Sequence, residues 1–362
     1  MANRILPAVP FDEEWLDCVQ NNLISVLMTA DERFRNTPCA AARRYGMYLP
    51  PEGGSTLAER RMPRILEDGD MILQVKNIDN FSHMFVKKDV PVSPGVPIAD
   101  VLIDRLNRGE YLFVYVDRYY YPSGNDAGRN HLLHPAFVHG YDTDKQVFHL
   151  IEDCVNVGKM ERYELPFDDL RRACFAANAN HVTTVRLRDD IPVSWDRYFG
   201  ERLVRDNLEL LLKEETELND VIWKNQRALL DEKGLRLRYG LSCIGIYAER
   251  IGSLLPPMSN RRLERLKVDL RMPHLFRKAT VGLPRLLREA TNVPDERIEH
   301  LAAQYEAMAE RWGIVTSKIL LYIGKRASGG TIRQGYFDGL GRLLEELLEL
   351  ERESAYSILE SL

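Results

Sequence analysis

The spacing of apolar positions differs between the two halves of the chain, and each half predicts its own kind of element. Val19, Leu23, Val26 and Leu27 recur at helical spacing behind the capping residue Asp17, which predicts a helix beginning at Cys18. Met71–Lys76 reads as a short strand, Ile98–Arg108 as an amphipathic helix ended by Gly109, and Tyr111–Asp117 as an apolar buried strand. An irregular loop, Arg118–Asn130, follows. Two β-rich runs, Pro135–Tyr141 and Gln146–Ile151, then flank Asp142-Thr143-Asp144-Lys145, the composition of a hairpin turn. A helix over Pro166–Ala179 and an alternating strand over His181–Arg188 complete an α+β domain predicted at residues 1–190.

Beyond Pro192 the alternation disappears. Val204, Leu208, Leu211, Glu215, Leu218 and Ile222 step by four and three, as do Leu301, Tyr305, Met308, Trp312, Val315, Ile319 and Tyr322, predicting two long helices with heptad-like seams. Thr331-Ile332-Arg333-Gln334 has the form of a capping box, followed by Leu340, Leu343, Leu344, Leu347 and Leu348 on one helical face. With shorter helical segments at 235–255, 261–271 and 274–290, the pattern predicts an all-α helical-bundle domain at 195–362.

Composition narrows the classes of function. The chain has 362 residues, 45% hydrophobic and 28% charged, the balance of a globular protein with a sizeable core. A net charge of −5 argues against nucleic-acid binding, which relies on cationic surface. No segment reads as a signal peptide or a membrane span, so a cytoplasmic protein that does not engage membranes is expected. The five cysteines are odd in number and lack CxxC spacing, which points away from a disulfide framework or a zinc knuckle.

Candidate chemistry centres on the hairpin. With the turn centred between Thr143 and Asp144, His134 falls directly opposite Asp153, their Cβ atoms about 5 Å apart, and Glu152 and His139 fall on the other face. A single bulge would overturn that count. A carboxylate beside an imidazole holds its tautomer and stabilises its charged form. Cys18, in the first turn of a helix, sits where the helix dipole favours a thiolate. Cys18, His134 and Asp153 therefore form a candidate nucleophile, base and orienter for acyl transfer; the competing readings are a buried structural thiol and a core histidine. Tyr119 and Tyr121 in the preceding loop are candidates for lining a substrate cleft, with plain packing as the alternative. The string His131, His134, His139 with Asp142 and Asp144 resembles zinc ligands, but strand geometry sends His134 and His139 to opposite faces, and no metal is expected. No P-loop, GxGxxG or GxSxG signature is present.

Cys18 in its D-C-x₃-N-L-x₂-V-L context, the later H-P-A-F-V-H-G-Y-D run and a closing Asp153 resemble the papain-like fold of bacteriocin-processing cysteine peptidases, and within that group the family of butirosin biosynthesis protein H. Asp117-Arg118-Tyr119-Tyr120-Tyr121-Pro122 fits the same family. The resemblance covers the N-terminal half. It implies an acyltransferase of natural-product biosynthesis that moves an acyl or aminoacyl group from the phosphopantetheine thioester of an acyl or peptidyl carrier protein, through an acyl-Cys18 intermediate, to a small-molecule amine. No cofactor bound by the chain itself is implied, and a homodimer is compatible with the reading. The peptidases carry an oxyanion glutamine shortly before the cysteine, whereas residues 1–17 contain none; the Cys18 backbone N–H and Gln20 are the donors expected here. Hydrolysis of a thioester or amide, peptidase action and a catalytically silent carrier-binding protein are the alternatives. Arg261, Arg262, Arg265, Lys267, Arg271, Arg277 and Lys278 form a basic run that could dock an acidic carrier.

Overall fold

The computed structural model describes residues 3–49, 72–78, 81–93, 95–215, 236–267, 269–291, 293–333 and 335–362. Among these, the strands are β1 (Asn3–Ile5), β2 (Arg43–Leu49), β3 (Gln74–Asn77), β4 (Phe85–Pro91), β5 (Tyr111–Asp117), β6 (Leu133–Asp142), β7 (Val147–Glu152), β8 (Glu161–Pro166), β9 (His181–Leu187) and β10 (Arg236–Tyr239). The main helices are α1 (Cys18–Leu27), α2 (Ile98–Asn107), α3 (Phe167–Ala176), α4 (Glu201–Leu212), α5 (Ser242–Leu254), α6 (Met272–Thr280), α7 (Leu283–Ala290), α8 (Asp295–Ala327) and α9 (Gly335–Leu359). The protein is of mixed α+β class, with antiparallel sheets and a helical C-terminal region. No helix among the described residues is long and apolar enough to cross a membrane.

The chain forms two compact units, Met1–Pro38 with Asp79–Tyr198, and Cys39–Ile78 with Phe199–Leu362. This differs from the contiguous division at residues 190–195 expected from the sequence. Segment 39–78 belongs with the C-terminal residues because its strands pair there: β2 lies between β10 and β3 in a three-stranded antiparallel sheet.

The first unit is built on a seven-stranded antiparallel sheet in the order β4-β9-β5-β6-β7-β8, with β1 paired to the end of β6. β5 is a run of aromatic and β-branched residues, suited to a buried strand. Gly109, at φ +79°, closes the preceding helix α2 in the left-handed conformation that glycine adopts without strain. Tyr111, Phe113 and Phe137 pack their rings together on one face of the sheet, with centroids 5.8 and 5.1 Å apart. α2 and α3 pack against β5. α1 begins at Cys18 as its sequence predicts: Asp17 caps it, accepting from the Gln20 N–H at 2.7 Å, and Leu23, Ile24, Val26 and Leu27 are fully buried.

In the second unit the seam predicted on α8 is present: Leu301, Tyr305, Met308, Trp312, Val315, Ile319 and Tyr322 are all buried. The all-α expectation is corrected by β2, β3 and β10. The helix predicted to run from Val204 to Ile222 ends at Leu212, and Glu215 instead bridges to Tyr239; Leu218 and Ile222 lie outside the described residues. Just past the helix end the fully buried Arg44 guanidinium donates to the Lys213 carbonyl at 2.8 Å and to Glu215 Oε2 at 2.9 Å. Arg277, expected on the basic surface run, is instead buried against Glu351, whose Oε1 accepts from Arg277 Nε at 2.7 Å, Trp312 Nε1 at 2.8 Å and the Tyr45 hydroxyl at 2.7 Å. Lys267 pairs with Glu264, and the side chains of Arg261 and Arg265 lie outside the described residues.

Candidate active site

Cys18 is the first residue of α1 and a half-buried free thiol. The helix N-terminus favours a thiolate, but burial, reinforced by the negative charges of Asp17, Glu152 and Asp153 and opposed by Arg118, pushes its pKa up to about 12. The resting group is a neutral thiol. One turn later Asn22 donates through Nδ2 to the Cys18 carbonyl at 2.9 Å and to the Ile151 carbonyl at 3.4 Å. Ile151 forms the last β6–β7 pair, with Phe137, so this bond ties the start of α1 to the open end of the hairpin, where β7 delivers Glu152 and Asp153.

The hairpin register differs from the sequence expectation. Asp142 pairs with Val147, Tyr141 with Phe148 and Gly140 with His149; after a bulge at His139, Val138 pairs with Leu150 and Phe137 with Ile151. Asp142 Oδ1 accepts from the N–H groups of Asp144 and Lys145 at 2.8 and 2.9 Å, inside a loop over 143–146 that is two residues longer than the tightest closure. Alternation from these pairs puts Glu152 on the face of Leu150, Val138 and His134, and Asp153 falls beyond the end of β7. Glu152 Oε2 lies 3.7 Å from His134 Nδ1. Asp153 is bonded to Arg118 at 2.5 Å and to the Gly158 N–H at 3.2 Å, and makes no hydrogen bond to His134.

Arg118 joins these groups. It follows β5, is 4% exposed, and its Nη2 contacts Glu152 Oε2, Asp153 Oδ1 and, at 3.3 Å, His134 Nε2. The two Nη2 hydrogens go to the closer carboxylates, but the positive guanidinium beside His134 Nε2 favours the lone pair there and the ring proton on Nδ1, facing Glu152. Burial, followed by the positive charge of Arg118, lowers the His134 pKa to about 4, with Asp153 opposing. Burial raises Glu152 to about 7 against the pull of Arg118. Burial works against the Arg118 charge, but Glu152 and Asp153 outweigh it and raise its pKa above the ordinary value. Tyr121 completes the cluster, donating to Glu152 Oε1 at 3.2 Å while its ring stacks on Tyr163 at 5.4 Å.

The other predicted residues disperse. Tyr119 stacks on His131 rather than joining this cluster. Gln20 is buried, its backbone N–H is taken by Asp17, and its Oε1 has no hydrogen-bond partner; two residues along a helix turn it about 200° away from Cys18. His139 is buried with Nδ1 on the Leu6 carbonyl at 3.0 Å, and His131 pairs with Asp117, so the histidine string has three separate sets of partners. Among the described residues no group of three His, Cys, Asp or Glu side chains is placed to hold a metal ion.

Arg118 and Glu152 are the site residues that sequence reasoning missed. The available signals were an arginine directly after an apolar strand and two adjacent acids ending another. Each is costly to bury alone, and together they neutralise one another. No protein-family model and no curated protein matches the chain.

Proposed function

We propose that this protein is a cytoplasmic cysteine acyltransferase whose first unit is a papain-like catalytic domain, moving an acyl or aminoacyl group from a carrier-protein phosphopantetheine thioester to a small-molecule amine. One observation carries the reading: three of the four charged groups that shift Cys18, namely Glu152, Asp153 and Arg118, also surround His134, the fourth being the helix cap Asp17. Sulfur and imidazole thus share one electrostatic cluster at the open end of the hairpin.

The mechanism follows from the protonation states. A thiol near pKa 12 and an imidazole near 4 rest as a neutral pair. Activation is therefore concerted: Arg118, already held by its two carboxylates, leaves the Nε2 lone pair free to take the Cys18 proton as sulfur attacks the thioester carbonyl. The imidazolium then faces Glu152 and returns its proton to the departing pantetheine sulfur. In the second half-reaction the amine attacks acyl-Cys18, His134 accepts the amine proton, and the cysteine leaves as the thiol. A thioester is already activated, so a neutral nucleophile with an adjacent base suffices.

Intact-mass measurement after incubation with acyl-loaded carrier protein tests this reading. An acyl adduct is expected on the wild-type chain and not on Cys18→Ala, and adding an amine discharges it to an amide. Adduct on both chains, or on neither, overturns the reading. Discharge to the free acid with amine present favours a thioesterase or amidase on the same residues. A second reading, a silent carrier-binding accessory protein, is favoured by the raised Cys18 pKa, and it requires that Cys18→Ala leave pathway output unchanged.

A further inference from the structure

Asp117 and His131 lie outside this cluster. Val116 pairs with His134 and Asp117 with Leu133, so the Asp117 side chain leaves the sheet on the face opposite His134. Asp117 is 3% exposed. Its Oδ1 accepts from the N–H groups of Tyr119 and Leu132 at 3.1 and 3.2 Å, and its Oδ2 meets His131 Nδ1 at 2.6 Å. Burial favours its neutral form, but the His131 hydrogen bond and the two backbone N–H groups prevail and lower its pKa, keeping it an ionised acceptor. Neutral His131 therefore carries its proton on Nδ1 and its lone pair on Nε2.

The ring is held on its face as well. Tyr119 stacks on it at 4.3 Å and 12°, and Tyr120 flanks it at 6.2 Å. The imidazole nonetheless remains 65% exposed, and its Nε2 makes no hydrogen bond among the described residues. Fixing an exposed ring in one tautomer and orientation sacrifices rotamer entropy with little burial in return. The next two residues of the chain, Leu132 and Leu133, are 41% and 59% exposed.

We propose that Asp117, His131 and Tyr119 form a second catalytic site, in which His131 Nε2 acts as a general base on small aromatic or apolar esters held against the Tyr119 and Tyr120 rings. Nε2 takes a proton from water as the water oxygen bonds to the ester carbonyl carbon. The bond to the alcohol oxygen then breaks, and the proton passes from His131 to that oxygen. Asp117 balances the imidazolium charge throughout. The proposal does not depend on the acyltransferase reading.

The test uses the full chain with Cys18→Ala, so that the thiol contributes nothing, and 4-nitrophenyl acetate as the probe. Adding His131→Asn preserves a donor to Asp117 but removes the base, and is expected to lower kcat at least about tenfold. Adding Asp117→Asn moves the ring proton to Nε2 and is expected to cause a similar loss with little change in KM, whereas Tyr119→Leu raises KM. Equal kcat in the Cys18→Ala chain with and without His131→Asn overturns the proposal. Should the double variants fail to fold, carbethoxylation of the unsubstituted chain by diethyl pyrocarbonate decides it by peptide mapping. His131 reacting faster than the exposed His83 supports the proposal, and His131 reacting no faster overturns it.

Discussion

Glu152 is the carboxylate that faces His134: its Oε2 lies 3.7 Å from the ring Nδ1, while Asp153 is hydrogen-bonded to Arg118 and acts on the imidazole through its charge alone. The difference has a backbone cause, the bulge at His139, and it alters which substitutions matter.

Cys18 reactivity reports the shared charge directly. Glu152 and Asp153 raise its pKa and Arg118 lowers it. Glu152→Gln is therefore expected to speed alkylation of Cys18 by iodoacetamide at pH 8, and Arg118→Met to slow it, each on the order of several-fold for charges a few ångströms away in a partly buried site. Peptide-resolved mass spectrometry measures both rates, and unchanged rates contradict the coupling.

Stability should vary with pH through two opposing groups. Glu152 is raised from 4.5 to about 7, so the folded state holds its proton more tightly; that stabilisation is present below 4.5 and is lost as pH rises through 7. His134 and His139 are each lowered from 6.5 to about 4, so their contribution is present above 6.5 and is lost as pH falls toward 4. Between pH 6.5 and 4.5 the glutamate offsets part of the histidine loss. Glu152→Gln is expected to lose stability more steeply on acidification across that window than the unsubstituted chain, as read from urea midpoints at successive pH values.

In the second unit, Glu351 neutralises buried Arg277 and also accepts from Tyr45 and Trp312. Glu351→Ala leaves a buried guanidinium uncompensated and is expected to cost about 3–5 kcal/mol. The double change Glu351→Leu with Arg277→Met removes both charges and should cost much less. Chemical denaturation of the two variants provides the comparison.

Gly140 sits where β1 lies against β6. A Cβ there would come within 2.7 Å of the Arg4 carbonyl oxygen and 2.9 Å of Ile5 Cα, both backbone atoms. Gly140→Ala is expected to lower stability by about 1–3 kcal/mol. Faster amide exchange at Arg4 and Ile5 would show that β1 is the element displaced.

Much of the architecture was legible because its signals are local. Asp17 before an apolar stripe sets the start of α1, the aromatic and β-branched run Tyr111–Asp117 sets β5, and seven apolar residues at alternating steps set the buried seam of α8. Helical and strand periodicities are properties of neighbours a few residues apart, so the local order of residues conveys them. The α+β character of residues 1–190 and the placing of Cys18 at a helix start followed from such patterns.

Tertiary structure alone decided the rest. A one-residue bulge at His139 determines which acid shares a face with His134, and side-chain parity carries that single insertion to the end of the strand. Arg118 can be buried only because two carboxylates more than thirty residues later meet it, and Arg44 of β2 meets the Lys213 carbonyl just past α4 because both belong to the second unit. These outcomes depend on desolvation balanced between residues distant in sequence, a balance that exists only once the chain has folded.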